Sequence, residues 1–123
     1  MTSPTDIRII RPADRSLTAV DPASTAAPAD VVSQAAREII SDDRPYAHIA
    51  RLPPGAVVPP HSHSTEEVTV VLSGAVDVGG TRCEAGTVIV IPADAEYGLE
   101  VLGDEPLTFL VVRPTVAAYQ GDG

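Results

Sequence analysis

Two imidazoles and a carboxylate stand close together in the segment Pro59-Pro60-His61-Ser62-His63-Ser64-Thr65-Glu66-Glu67. On an extended backbone residues i and i+2 point to one side, so His61 and His63 can face a single ion. If the extended phase continues, Glu67 joins that face and Glu66 takes the other; a bulge would exchange them. Two imidazoles with one carboxylate suit one divalent transition metal ion: Fe, Mn, Ni, Cu or Zn. Three protein ligands leave coordination positions open, which is the character of a catalytic rather than a structural site. A bare His-x-His is also what a polar turn carries by chance, so the surrounding sequence has to decide.

The elements that must hold these groups are strands. From Tyr46 onward, short β-branched runs alternate with turn signals roughly every eight to twelve residues. The runs 46–52, 67–72, 75–78, 81–84, 87–91, 98–102 and 107–113 read as strands. Pro53-Pro54-Gly55, Ser73-Gly74, Gly79-Gly80, Ala85-Gly86, Pro92 and Gly103-Asp104 separate them. Gly79-Gly80 is a hairpin signal, since both residues accept positive φ. Many short strands without long helices predict an all-β sandwich or barrel. Residues 1–30, rich in Ala, Pro, Ser, Thr and Asp, read as an arm or linker with a short strand at 7–10. Residues 31–123 then form the folded domain. Over 31–41 the apolar residues recur with helical spacing and Asp30 could cap a helix, but a strand near Arg37 to Ile40 competes.

Composition narrows the function. The chain has 123 residues, enough for one core. That core must be Val, Ile, Leu and Ala, because there is one Phe and no Trp. The net charge of −9 repels nucleic acid and anionic lipid, so neither is an expected partner. All eight basic residues are Arg, which excludes lysine Schiff-base chemistry. A single cysteine, Cys83, cannot form an intramolecular disulfide; with no apolar signal-peptide core and no membrane-length apolar run, a cytoplasmic location is expected. Arg44, Arg51 and Arg82 are scattered, so a strongly anionic substrate is disfavoured unless Arg51 or Arg82 turns inward.

The pattern Gly55, five residues, His61-x-His63, three residues, Glu67, six residues, Gly74 resembles the first cupin motif at every defining position. The second motif is degraded. Gly86 and Pro92 match, while Asp94 replaces its glycine, Tyr97 its histidine and Val101 its asparagine. The resemblance covers roughly residues 37–114 and implies a double-stranded β-helix, the cupin jelly-roll barrel. It implies His61, His63 and Glu67 as metal ligands, with Tyr97 at the fourth ligand position.

Three roles for Tyr97 compete: a phenolate ligand, a proton donor or acceptor beside the metal, and a wall of the barrel mouth. His48 shares a strand face with Tyr46, Ala50 and Leu52. It is a candidate base or replacement ligand, against the plainer reading of a hydrogen-bonded or edge histidine. Cys83 reads as a small core residue. The resemblance implies a metal-dependent enzyme acting on a small organic molecule, an oxygenase or a polyketide-type cyclase or isomerase of specialised metabolism. The alternatives are a non-catalytic module that binds a small molecule or metal, and a metal-free structural dimer. A homodimer is expected, because small barrels with apolar outer strands pair and cupins commonly do.

Overall fold

The computed structural model describes residues 7–15, 17–19, 28–116 and 119–121. Eleven strands run in order among them: β1 (Leu17–Ala19), β2 (Ala36–Asp42), β3 (Tyr46–Leu52), β4 (Val57–His63), β5 (Glu67–Ser73), β6 (Ala75–Val78), β7 (Thr81–Glu84), β8 (Val88–Ile91), β9 (Tyr97–Leu102), β10 (Leu107–Arg113) and β11 (Tyr119–Gly121). They form two antiparallel sheets, ordered β1-β2-β3-β10-β5-β8 and β11-β4-β9-β6-β7. Most consecutive strands lie in opposite sheets, and this crossing back and forth is the jelly-roll arrangement that the resemblance implies. Between the sheets sits an aliphatic core of Val31, Leu52, Ala56, Val58, Val71, Val76, Cys83, Val101 and Leu107. Cys83 is buried there, as its position in an alternating strand predicts.

The seven predicted strands are present within a residue at each end. Besides β2, which lies over the ambiguous stretch 31–41, three further strands lie beyond them. β4 escapes the reading because Pro59-Pro60 looks like a break, β11 lies past the last turn signal, and β1 falls inside the stretch read as an arm. β1 pairs with β2 at the edge of the larger sheet, so that stretch contributes to the sandwich. The strand expected at residues 7–10 does not form: Ile7, Ile9 and Ile10 are exposed, and Arg8 reaches Ser41 and the Arg44 carbonyl. Residues 21–27, the centre of the Ala- and Pro-rich run, lie outside the described residues. The 31–41 ambiguity resolves into both forms. A single helical turn, α1 (Ala29–Val32), precedes β2, and Pro28 rather than Asp30 stands at its N-cap. No helix among the described residues is long and apolar enough to cross a membrane.

The β6–β7 hairpin turns at Gly79 and Gly80, with φ of +58° and +92°, as the double glycine predicts. Gly74 is constrained differently. Its φ is +81°, and a Cβ there would lie 2.6 Å from the Pro106 carbonyl oxygen, a backbone atom that cannot move aside. Gly74→Ala therefore combines left-handed strain with a backbone clash, and we expect a loss of about 2–3 kcal/mol. Urea unfolding of the variant measures it, and a loss below about 0.5 kcal/mol, the range of neutral surface changes, would show that the β5–β6 corner is not held this tightly.

Candidate metal centre

His61 reaches the interior because β4 is irregular. Val58 pairs with Leu99 and His61 with Tyr97, so Pro59 and Pro60 together face the single residue Gly98. One extra residue on one strand is a β-bulge, and it shifts the side-chain phase by one. Without it Val58 and His61, an odd number of residues apart, would point to opposite faces. With it both are buried. Gly98 makes room, since a Cβ there would meet the Val58 carbonyl oxygen at 3.0 Å and the Pro60 nitrogen at 3.1 Å. Asp94 stands where the cupin motif has glycine and keeps the backbone that glycine favours, with φ of +64°. Its amide donates to the His63 carbonyl at 2.9 Å and ties the turn before β9 to the end of β4.

Glu67 arrives by another route. The extended phase from His63 does not persist: Ser64, Thr65 and Glu66 turn a corner, and Glu67 opens β5 in the other sheet. Its inward direction comes from β5's own alternation, which buries Glu67, Thr69 and Val71. Glu66 is exposed.

The rings of His61 and His63 lie 5.0 Å apart, near perpendicular. Tyr97 lies 4.6 Å from His61 and 6.3 Å from His63. His61 Nδ1 is 3.0 Å from the Pro59 carbonyl oxygen. A carbonyl only accepts, so Nδ1 carries a proton, and Nε2 is the nitrogen through which a metal would bind. Burial first, then the Arg113 charge, pushes His63 down to about 4, so it is neutral at pH 7. Imidazole nitrogens sit roughly 2.0–2.1 Å from a bound ion, which places two ring centres on one ion roughly 4.5–5.2 Å apart for angles at the ion between a right angle and tetrahedral. The histidine pair fits a shared cation in chemistry and in spacing.

Glu67 is committed elsewhere. Arg113 Nε donates to its Oε1 at 2.9 Å, with Nη2 in ion-pair contact with the same oxygen at 2.8 Å, and the Thr69 hydroxyl donates to Oε2 at 2.5 Å. Among the described residues, no three His, Cys, Asp or Glu side chains converge as an ion's shell requires. The predicted triad is thus gathered in one region but is not closed. Neither Arg51 nor Arg82 turns inward; both are exposed. Arg113 is the inward arginine, and the sequence reading missed it. A signal was available: Arg113 continues the inward phase Leu107, Phe109, Val111 of β10, and a buried guanidinium needs an acid partner.

Burial first, then the negative charge of Glu67, holds the Tyr97 hydroxyl above the usual tyrosine range, so it keeps its proton at neutral pH. Tyr97, Glu67 and Thr69 form the polar end of a cavity of about 380 Å³, counting its part open to solvent. Val71, Val76, Ile89, Leu99, Leu107 and Phe109 are among its apolar walls.

His48 faces inward but does not line this cavity. Its Nδ1 lies 2.7 Å from the Tyr46 hydroxyl. Burial lowers it to about 3, with Arg37, Arg113 and His63 adding positive charge in that order. An unfolded histidine titrates near 6.5, so between pH 6.5 and about 3 only the unfolded chain takes up this proton. Stability from His48 is complete above pH 6.5 and declines as pH falls, by about 2 kcal/mol at pH 5. Urea unfolding at pH 7 and pH 5 should show the decline, and His48→Gln should remove that share. An unchanged slope in the variant would mean that His48 already carries its proton in the fold.

The model of the cupin domain matches residues 48–113. In a search of curated proteins nothing matches. Among solved structures, the chain resembles the polyketide cyclase RemF from Streptomyces resistomycificus, with a TM-score of 0.76 at 19% identity over 96% of this chain and 87% of that one. KdgF from a Halomonas species gives 0.68 at 20% identity over 90% and 96%. The oxalate decarboxylase of Lactobacillus farciminis gives 0.63 at 26% identity, over 72% of this chain and 31% of that longer one. The match from β3 to the end of β10 spans more than half of the sequence and includes both sheets and the histidine pair, and the chain belongs to the cupin family.

Proposed function

We propose that this chain is a metal-dependent enzyme acting on a small organic molecule, as an oxygenase or a polyketide-type cyclase or isomerase. One observation carries the reading: the rings of His61 and His63 stand 5.0 Å apart against Tyr97, which together with Glu67 and Thr69 lines one end of an otherwise apolar cavity. His61 and His63 would hold the ion, with Glu67 as the third donor once its carboxylate is shared with Arg113. A divalent ion there supplies Lewis acidity or dioxygen activation. The chain's own residues do the rest. Aliphatic walls hold the substrate by burial and keep water from its reacting end. Tyr97 keeps a proton available to an oxygen of the substrate, as a general acid. The fold-level likeness to a polyketide cyclase supports the choice of reaction class.

The test is turnover. The metal-loaded protein is incubated with phenolic and polyketide-like substrates, while dioxygen uptake and product mass are followed. Oxygen insertion or loss of water supports the reading; binding without any conversion overturns it. That second outcome would favour the non-catalytic module, the reading that the engagement of Glu67 by Arg113 and Thr69 supports.

We also propose a homodimer. The outer face of β5 and the edge strand β8 exposes Val68, Leu72, Val88 and Val90, the last at 72%. Val68 and Val90 are cross-strand partners, so the patch is continuous. Light scattering should give twice the chain mass, and Val90→Glu should halve it; a monomeric wild type contradicts the dimer.

A further inference from the structure

The geometry points to Arg113 as an internal competitor for Glu67, a fixed positive charge that holds the carboxylate in the metal-free protein and keeps the affinity of the His61–His63 site for cations low. This rests on the metal-site reading above. The pair is well buried, with side chains 12% and 4% exposed for Arg113 and Glu67. The Nε hydrogen bond and the Nη2 ion-pair contact of Arg113 both fall on one oxygen, while Thr69 takes the other, so each carboxylate oxygen is already accepting. Arg113 is itself positioned from behind, with its guanidinium carbon 5.4 Å from the centre of the Tyr46 ring, whose hydroxyl meets His48.

The charges decide the consequence. The Glu67 carboxylate and the Arg113 guanidinium cancel, and an imidazole that ligates a metal does so in its neutral form. A divalent cation entering between the histidines therefore leaves two uncompensated positive charges in a poorly solvated interior, one more than if residue 113 were apolar. A guanidinium cannot relieve this by losing its proton, as a lysine or histidine could. The cation must either share Glu67 with Arg113 or displace it, and both weaken binding. The same pair accounts for the absence, among the described residues, of a closed three-donor cluster around the histidines.

The experiment titrates the chelator-stripped full chain with Ni(II) by calorimetry, in wild type, Arg113→Met and Arg113→Lys. Arg113→Met is expected to bind about tenfold tighter or better. Its melting temperature, lower than wild type without metal because Glu67 is left unpaired, should rise further on adding Ni(II) than that of wild type. Arg113→Lys keeps a cation that can shed its proton as the metal enters, so it should bind more tightly than wild type and less tightly than Arg113→Met. If Arg113→Met does not fold, Arg113→Gln makes the same comparison, losing the charge while keeping a donor to Glu67. Equal or weaker binding in the uncharged variant overturns the inference, because Arg113 then orients Glu67 rather than competing for it; the metal-site reading survives that result. Folded wild type and variant that both fail to take up Ni(II) at millimolar concentration overturn the metal-site reading as well.

Discussion

Glu67→Ala is expected to lower the stability of the metal-free fold by about 3–5 kcal/mol, because it strands the Arg113 guanidinium in the interior without its carboxylate. The two side chains are 4% and 12% exposed, so water does little to screen the loss. At this chain length the melting temperature should fall by roughly 10–20 °C. The effect belongs to the pair and not to Glu67 alone. The double variant Glu67→Leu with Arg113→Met, which replaces both charges by apolar groups, should recover most of the stability. Thermal and urea unfolding of Glu67→Leu, Arg113→Met and the double variant close the cycle. If Glu67→Ala melts within a few degrees of wild type, the ion pair is not the buried element that its 2.8 Å contact indicates.

The second large effect concerns Tyr97. Tyr97→Phe removes one hydroxyl from the polar end of the cavity and leaves the ring against His61. If that hydroxyl is the proton donor, kcat should fall by about 10²-fold or more, with the bound metal unchanged. Steady-state kinetics and metal content, measured on the same preparation, separate the three roles open to this residue. Loss of metal would make it a ligand, and unchanged kcat would make it a wall.

The first cupin motif was legible because its meaning lies in local spacing. An i, i+2 histidine pair on a strand shares a face whatever the rest of the chain does, and the structure brings His61 and His63 to 5.0 Å. The strands from Tyr46 to Arg113 were legible for a similar reason, since β-branched alternation and glycine turns are short-range signals. What escaped the reading depends on register between distant segments. The bulge at Pro59 and Pro60 is defined only against Gly98, on a strand that cannot be aligned from sequence alone. The partner of Glu67 lies 46 residues away, in a strand that pairs beside β5. The expectation that Glu67 continues the phase of the histidines gave the correct inward direction for the wrong reason. The chain changes sheet between them, and the alternation of β5 is what buries the carboxylate. The strand expected at residues 7–10 failed because its isoleucines have no sheet edge beside them; β1 takes the edge of β2 instead.

A cation shared by His61 and His63 is the claim on which the functional reading stands. Equilibrium dialysis of the chelator-stripped chain against saturating Ni(II), followed by elemental analysis, measures it directly. The account predicts close to one ion per chain for wild type and essentially none for the double variant His61→Ala, His63→Ala. No bound metal in the folded wild type, or the same content in both proteins, would contradict it.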